Sequence, residues 1–199
     1  MSYPHKLIPS NLLPTIFSAA LASLTLQGNE PVVAVLHFLR DLLGYGGENP
    51  PSSISRSNPP EIQQTIKNLL VVGTTDGKAV LGAMLVQRLM TGILFTFPRD
   101  CYHDGTGLLQ EVIDLLPQQT TQWIEETISL LPAGSLPEKE KDRFLTRLQQ
   151  AVAASGDRGD LRGKARPVLQ DFASSFRRRN VNPREGLGRL EASRFHFTG

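Results

Sequence analysis

Enzyme chemistry starts from a nucleophile beside a base, paired carboxylates in a cleft, or a set of metal or phosphate ligands. One turn of this chain gathers such residue types: Cys101, His103 and Asp104, within Arg99-Asp100-Cys101-Tyr102-His103-Asp104. A thiolate beside an imidazole is nucleophilic and can bind metal. Two residues apart in a turn, however, the pair has no orienting scaffold and no full ligand set. The segment therefore reads as an ordinary interhelical turn with a half-buried cysteine. Gly105-x-Gly107 and Gly186-x-Gly188 are fragments of phosphate-loop patterns. Neither follows a strand or completes its motif, so neither predicts a nucleotide site. His37, on a helix among apolar residues, reads as a packed histidine, and Glu125-Glu126 as a solvated helix face. No catalytic residue, metal or cofactor is expected, and the chain is not read as an enzyme.

The densest charge cluster is Arg177-Arg178-Arg179. Guanidinium groups hold phosphate or carboxylate bidentately, which makes the triplet the candidate protein-binding site. The same cations at a helix C-terminus would also offset the macrodipole by about 0.3–1 kcal/mol, and both roles stay open at this point. The triplet belongs to a charge asymmetry. Residues 1–137 hold 7 Lys/Arg against 11 Asp/Glu, a net of −4, whereas residues 138–199 hold 14 against 8, a net of +6. A basic end can attract nucleic acid, acidic protein or phosphorylated peptide. With no aromatics interleaved on a basic face and no recognised binding module, direct nucleic-acid binding is not expected. One cysteine excludes an intramolecular disulfide framework and a cysteine-rich zinc site, and fits a reducing compartment. The N-terminus lacks the basic start and unbroken apolar core of a secretory signal.

The elements that must position these residues read as helices throughout, because no window alternates at period two with β-branched enrichment. Residues 79–97, AVLGAMLVQRLMTGILFTF, are apolar all round and must be covered by other helices or by lipid. Gln87 and Arg88 in its middle disfavour lipid, since a central arginine costs about 2.5–3.5 kcal/mol in a membrane helix. The expectation is a buried helix whose Gln87-Arg88 edge reaches solvent.

Ahead of it, Ser10 or Asn11 is placed to cap a first helix bearing Leu13, Phe17 and Leu21, and Pro31 to open a second. Together these make a helical hairpin over 1–43. Residues 44–60 hold four prolines, three glycines and four serines and read as a flexible loop, after which Pro60 opens a third helix. Downstream, Thr106 reads as the cap of a fifth helix and Pro117 as the start of a sixth. Ser135 and Glu138 have capping-box spacing, and Pro167 interrupts a last helix beginning near Ala165 and ending near Arg178. Residues 61–179 then form the remaining helices with a C-terminal cap, and 180–199 an extended basic tail. The sum is an all-α chain of about eight helices in antiparallel pairs. That is how α-solenoids are built, although periodicity alone does not exclude a closed bundle.

Three segments decide further: VLHFLRDLLGYGGENPPSS (35–53), LVQRLMTGILFTFPRDCYHDGTGLLQEVIDLLPQQTTQWIE (85–125) and VLQDFASSFRRRNVNPREGLGRLEASRF (168–195). In order and spacing they resemble the C-terminal region of the transportin-SR family, nuclear import receptors of the importin-β (karyopherin) superfamily, especially fungal members described as mRNA transport regulators. The resemblance covers nearly the whole chain. It implies a HEAT-type α-solenoid that binds Arg/Ser- or Arg/Gly-rich RNA-binding proteins as cargo, carries them through the nuclear pore past nucleoporins, and shuttles between nucleus and cytoplasm.

Ran-GTP, which releases cargo in that family, would act through N-terminal repeats with no counterpart here. The family's cargo-holding arginine helix likewise finds no match, since residues 1–87 contain no clustered arginines. The chain thus resembles terminal repeats alone. On that view the face around Leu13, Phe17 and Leu21 is expected to be bare and to drive self-association. The alternative function is a stand-alone helical adaptor recruiting an acidic or phosphorylated protein through its basic end.

Overall fold

The computed structural model describes residues 4–26, 29–48, 57–73, 77, 80–156 and 158–180. Among them the α-helices are α1 (Pro4–Leu7), α2 (Leu13–Ser23), α3 (Asn29–Gly44), α4 (Pro60–Val71), α5 (Leu81–Thr91), α6 (Tyr102–Leu115), α7 (Pro117–Ser129), α8 (Glu138–Ala153) and α9 (Arg158–Asn180). A π-helical turn, Gly92–Thr96, and a 3-10 turn, Arg99–Cys101, link α5 to α6. The only β pairing among the described residues is an isolated bridge between Gly73 and Val80.

The chain is all-α, and its helices stack in two layers. One layer runs α2, α5, α7, α8; the other runs α3, α6, α9, each helix touching the next. The pairs α2–α3, α5–α6, α6–α7 and α8–α9 tie the layers together, and α4 packs against α5. Both layers keep sequence order, so the molecule is a row consistent with a helical solenoid. The core is correspondingly continuous, from Ile8 and Phe17 at one end to Phe172 and Phe176 at the other. Among the described residues no helix is long and apolar enough to cross a membrane.

At the centre of the row, α5 meets its expectation. Leu85, Val86, Leu89 and Met90 are buried, Gln87 is half-buried and Arg88 is exposed. The α-helix nevertheless stops at Thr91 and widens into the π turn, closed by the Phe97 N–H donating to the Gly92 carbonyl at 2.7 Å. Gly92 permits this. A Cβ there would lie 2.3 Å from the Phe97 ring, which folds back over the turn.

Several local expectations are corrected. Ser10 donates its hydroxyl to the Leu7 carbonyl at 2.7 Å, closing the turn after α1 rather than capping α2. Leu13, Phe17 and Leu21 are not bare: all three are buried, because α2 turns that face onto α3 and α5. Thr106 lies inside α6, its hydroxyl returned to the Tyr102 and His103 carbonyls. The helix starts earlier because the 3-10 turn feeds directly into it.

The capping box does not form either. Ser135 is buried, and Pro137 sits at the N-cap of α8 without a side-chain bond. Pro167 does not break α9. It lies on the solvent side, where water can take the Gly163 carbonyl that proline leaves unbonded, while Leu161 and Ala165 are held in the core.

The described ends of the 44–60 segment are fixed. Tyr45 is buried, the Asn58 amide donates to the Gly47 carbonyl at 2.8 Å, and the Asn58 N–H donates to the Glu48 carbonyl at 2.7 Å. The flexible-loop expectation for 49–56, and the extended-tail expectation for 181–199, lie outside the described residues. Asn180 itself ends α9 and is buried, its amide donating to the carbonyls of Ser135 and Phe176.

Candidate protein-binding surface

The Cys101-His103-Asp104 group does not converge. Cys101 is fully buried, and burial, reinforced by Asp104 and Asp100, pushes its thiol above the ordinary value, away from thiolate. His103 is exposed on the α9 side, with the Arg166 guanidinium 3.0 Å from its Nε2. Asp104 faces α3 instead, 3.3 Å from His37 Nε2 and 3.5 Å from the Arg40 guanidinium. His37 is therefore not the packed histidine expected; its side chain is 50% exposed. The successive residues of one helix turn leave it about 100° apart, which sends these three to different neighbours. Among the described residues no three metal-ligating side chains come together. Glu125 and Glu126 are exposed, as a solvated face requires.

The same 100° step divides the arginine triplet. Arg177 turns inward: it donates to the Ile93 carbonyl of the π turn at 2.9 Å and lies 5.7 Å from the centroid of the Tyr102 ring. Burial, with nearby Arg99, pulls its guanidinium below the ordinary arginine value, although Tyr102 opposes this. Arg179 reaches across to α8, donating to Glu140 Oε1 at 2.5 Å. That hydrogen bond holds the Glu140 carboxyl below its usual range. Arg178 is exposed and makes a 3.4 Å contact with the Ser174 carbonyl of its own helix. The three do not form one phosphate clamp; Arg178 and Arg179 are both exposed, and Arg179 is the one paired with a carboxylate.

Further up α9, sequence reading missed a stronger anchor. Arg162 donates to Asp114 Oδ2 through Nε at 3.1 Å and Nη2 at 2.9 Å, and its Nη2 also bonds Glu111. The Asp114 side chain is 0% exposed. Burial works against the Arg162 charge, but the two carboxylates more than offset it and raise its affinity for the proton. Nothing in the local sequence marks Arg162 above Arg158 or Arg166, because its partners lie 48 and 51 residues away.

Beside Arg179 a groove of about 220 Å³ runs between α8 and α9. Phe144 and Phe172 line it, stacked at 3.9 Å between centroids and 18° between planes. Arg143 and the Arg147–Asp171 ion pair, at 3.2 Å, also line it. An apolar floor with an ionic rim is the surface type on which a protein segment can seat an apolar side chain between charged neighbours. Both phenylalanines were legible as inward residues; that they leave a groove was not.

No family model matches the chain. Over 191 residues it is 28% identical to a protein of Schizosaccharomyces pombe named "Uncharacterized protein C11G11.07", covering 94% of this chain and 19% of that protein. Over 161 residues it is 24% identical to Transportin MOS14 of Arabidopsis thaliana, covering 81% of this chain and 15% of the plant protein. The chain spans less than a fifth of the length of these curated relatives. It is distantly similar to a transportin, and that similarity runs through most of its helices.

Proposed function

We propose that this chain acts as part of a nuclear import receptor, offering a surface to RNA-binding protein cargo rather than making or breaking bonds. The observation that carries the reading is the similarity to a protein named transportin across 81% of the chain. An open row of helices supports it, because a row exposes extended surface. The basic end of α9 and the adjoining α8/α9 groove are the cargo-facing part, where Arg178 and Arg179 are both exposed and Arg179 is paired with Glu140. Cargo of Arg/Ser type is recognised there once phosphorylation of its serines makes it acidic; Arg/Gly-rich cargo is bound without that switch. Ran-GTP acts outside this chain, and the receptor shuttles between nucleus and cytoplasm.

The test uses fluorescence anisotropy with matched phosphorylated and unphosphorylated Arg/Ser peptides. The expected result is phosphate-dependent binding, weakened about tenfold by Arg178→Glu, which removes one charge-assisted contact and introduces repulsion. Arg178 is exposed and its hydrogen bond is to a carbonyl of its own helix, so the variant is expected to keep its fold. Binding indifferent to phosphate, or none at all, rejects this surface as the cargo contact.

The adaptor alternative shares the same basic end and is separated in cells. A tagged chain that stays where its partner is, without crossing the nuclear envelope, favours the adaptor.

A further inference from the structure

The α8/α9 groove holds more than an apolar floor. Two ion pairs between the helices bracket it: Arg147 with Asp171 at 3.2 Å, and Arg179 with Glu140. As one helix ascends in number the other descends, so α8 and α9 are antiparallel. Midway between the two pairs that register sets Arg143 opposite Ser175, and both residues line the groove. Along α8, Arg143 lies about 4.5 Å beyond Glu140 and about 6 Å short of Arg147, on the same side of the helix.

These two residues are uncommitted. Among the described residues Arg143, exposed at the rim, takes part in no ion pair or hydrogen bond, and the half-buried Ser175 hydroxyl makes no hydrogen bond. Glu140 feels the Arg143 charge, but its hydrogen bond comes from Arg179. The groove is thus flanked by three guanidinium groups against two carboxylates, and the surplus cation is Arg143. It stands over the stacked rings of Phe144 and Phe172.

We propose that the groove seats one apolar side chain of a partner peptide whose adjacent residue is Asp or Glu, with Arg143 and Ser175 holding the carboxylate. At about 220 Å³ the groove is smaller than a cofactor or small-molecule pocket of about 300–1,000 Å³, and suits a single side chain. A guanidinium offers paired N–H donors that match a carboxylate, and the Ser175 hydroxyl adds another donor. A doubly charged phosphate calls for further free cations, whereas Arg147 and Arg179 are already engaged by Asp171 and Glu140. The inference rests on this groove facing a partner, as proposed above. It adds a carboxylate-reading contact separate from the phosphate contact at Arg178.

The test titrates short Gly/Ser peptides carrying a central Leu-Glu pair into the intact ¹⁵N-labelled chain. Leu-Gln, Ala-Glu and Leu-phosphoserine versions serve as comparisons. The Leu-Glu peptide is expected to bind in the millimolar range and to shift the Arg143 Nε–H and Ser175 amide signals. Leu-Gln and Ala-Glu are each expected to bind about fivefold more weakly, since one loses the charge and the other the apolar anchor. Arg143→Gln is expected to weaken Leu-Glu by the same factor and to leave Leu-Gln unchanged. Ser175→Leu, which fills the groove, is expected to weaken both. Far-UV circular dichroism checks that each variant is folded. No shift at the groove, equal binding of Leu-Glu and Leu-Gln, tighter binding of Leu-phosphoserine than of Leu-Glu, or indifference to Arg143→Gln overturns the proposal. Phosphate-dependent binding of Arg/Ser peptides without Leu-Glu binding rejects this inference and keeps the cargo reading. Leu-Glu binding by a chain indifferent to Arg/Ser phosphorylation does the reverse.

Discussion

The two ends of the row are finished in opposite ways. The α2 end carries no charge between Lys6 and Glu30 and is closed on its inner side by apolar burial alone. The α9 end is thick with arginines, and several of these hold neighbouring elements: Arg162 binds α6, Arg177 the π turn and Arg179 helix α8. An end can be secured by excluding water or by pairing charge across helices. The first depends on shape and little on pH or salt; the second is adjustable by both.

The largest expected effect lies at the apolar end. Phe17 is 0% exposed, and Phe17→Ala should cost about 3–5 kcal/mol, enough to threaten the fold of a marginally stable chain. Urea unfolding measures it, and a loss below about 1 kcal/mol would show that this end is not held by burial.

Next comes Arg162→Ala, which leaves the buried Asp114 carboxylate without its guanidinium. About 2 kcal/mol is expected, less than for a fully buried pair because Arg162 itself is partly exposed. A double-mutant cycle with Asp114→Asn should recover part of that loss; strict additivity would mean that the pair is not coupled.

Glu140 sharpens the contrast through pH. Its carboxyl is held below the usual value by the Arg179 hydrogen bond. A folded-state value below the unfolded one contributes stability above the unfolded pKa, lost as pH falls through the folded value. Wild type should therefore exceed Glu140→Gln in Tm at pH 7, by about 1 °C for so exposed a pair, with the gap closing in acid. A gap that persists to about pH 2 contradicts the assignment.

The smallest effect is reserved for Arg178→Glu, within about 0.5 kcal/mol of wild type. That near-neutrality, checked by thermal melts, is what makes the variant a clean probe of binding. Reactivity of Cys101 sets the background: a thiol reagent should modify it slowly in the native chain and rapidly in denaturant. Fast native modification would mean that the centre of the row opens readily.

Sequence alone determined that this chain is helical, where most of its helices lie, and which residues turn inward, because helix periodicity and proline or glycine breaks are local properties. Leu85, Leu89, Phe144 and Phe172 were legible on those grounds, as was the solvent-facing Arg88 edge. Local chemistry misled where the backbone bonds were satisfied in another way. Ser10 closed the turn before α2, Ser135 went into the core, and Pro167 passed through α9 because its side of the helix faces water.

Only the tertiary structure decided what each charged group does. Arg177, Arg178 and Arg179 are equivalent as a string, yet one binds the π turn, one faces solvent and one pairs with α8. The partners of Arg162 and Arg177 lie 48 to 84 residues away. Burial follows from a repeat of 3.6 residues that any short window contains; pairing between distant charges depends on how whole helices are set side by side.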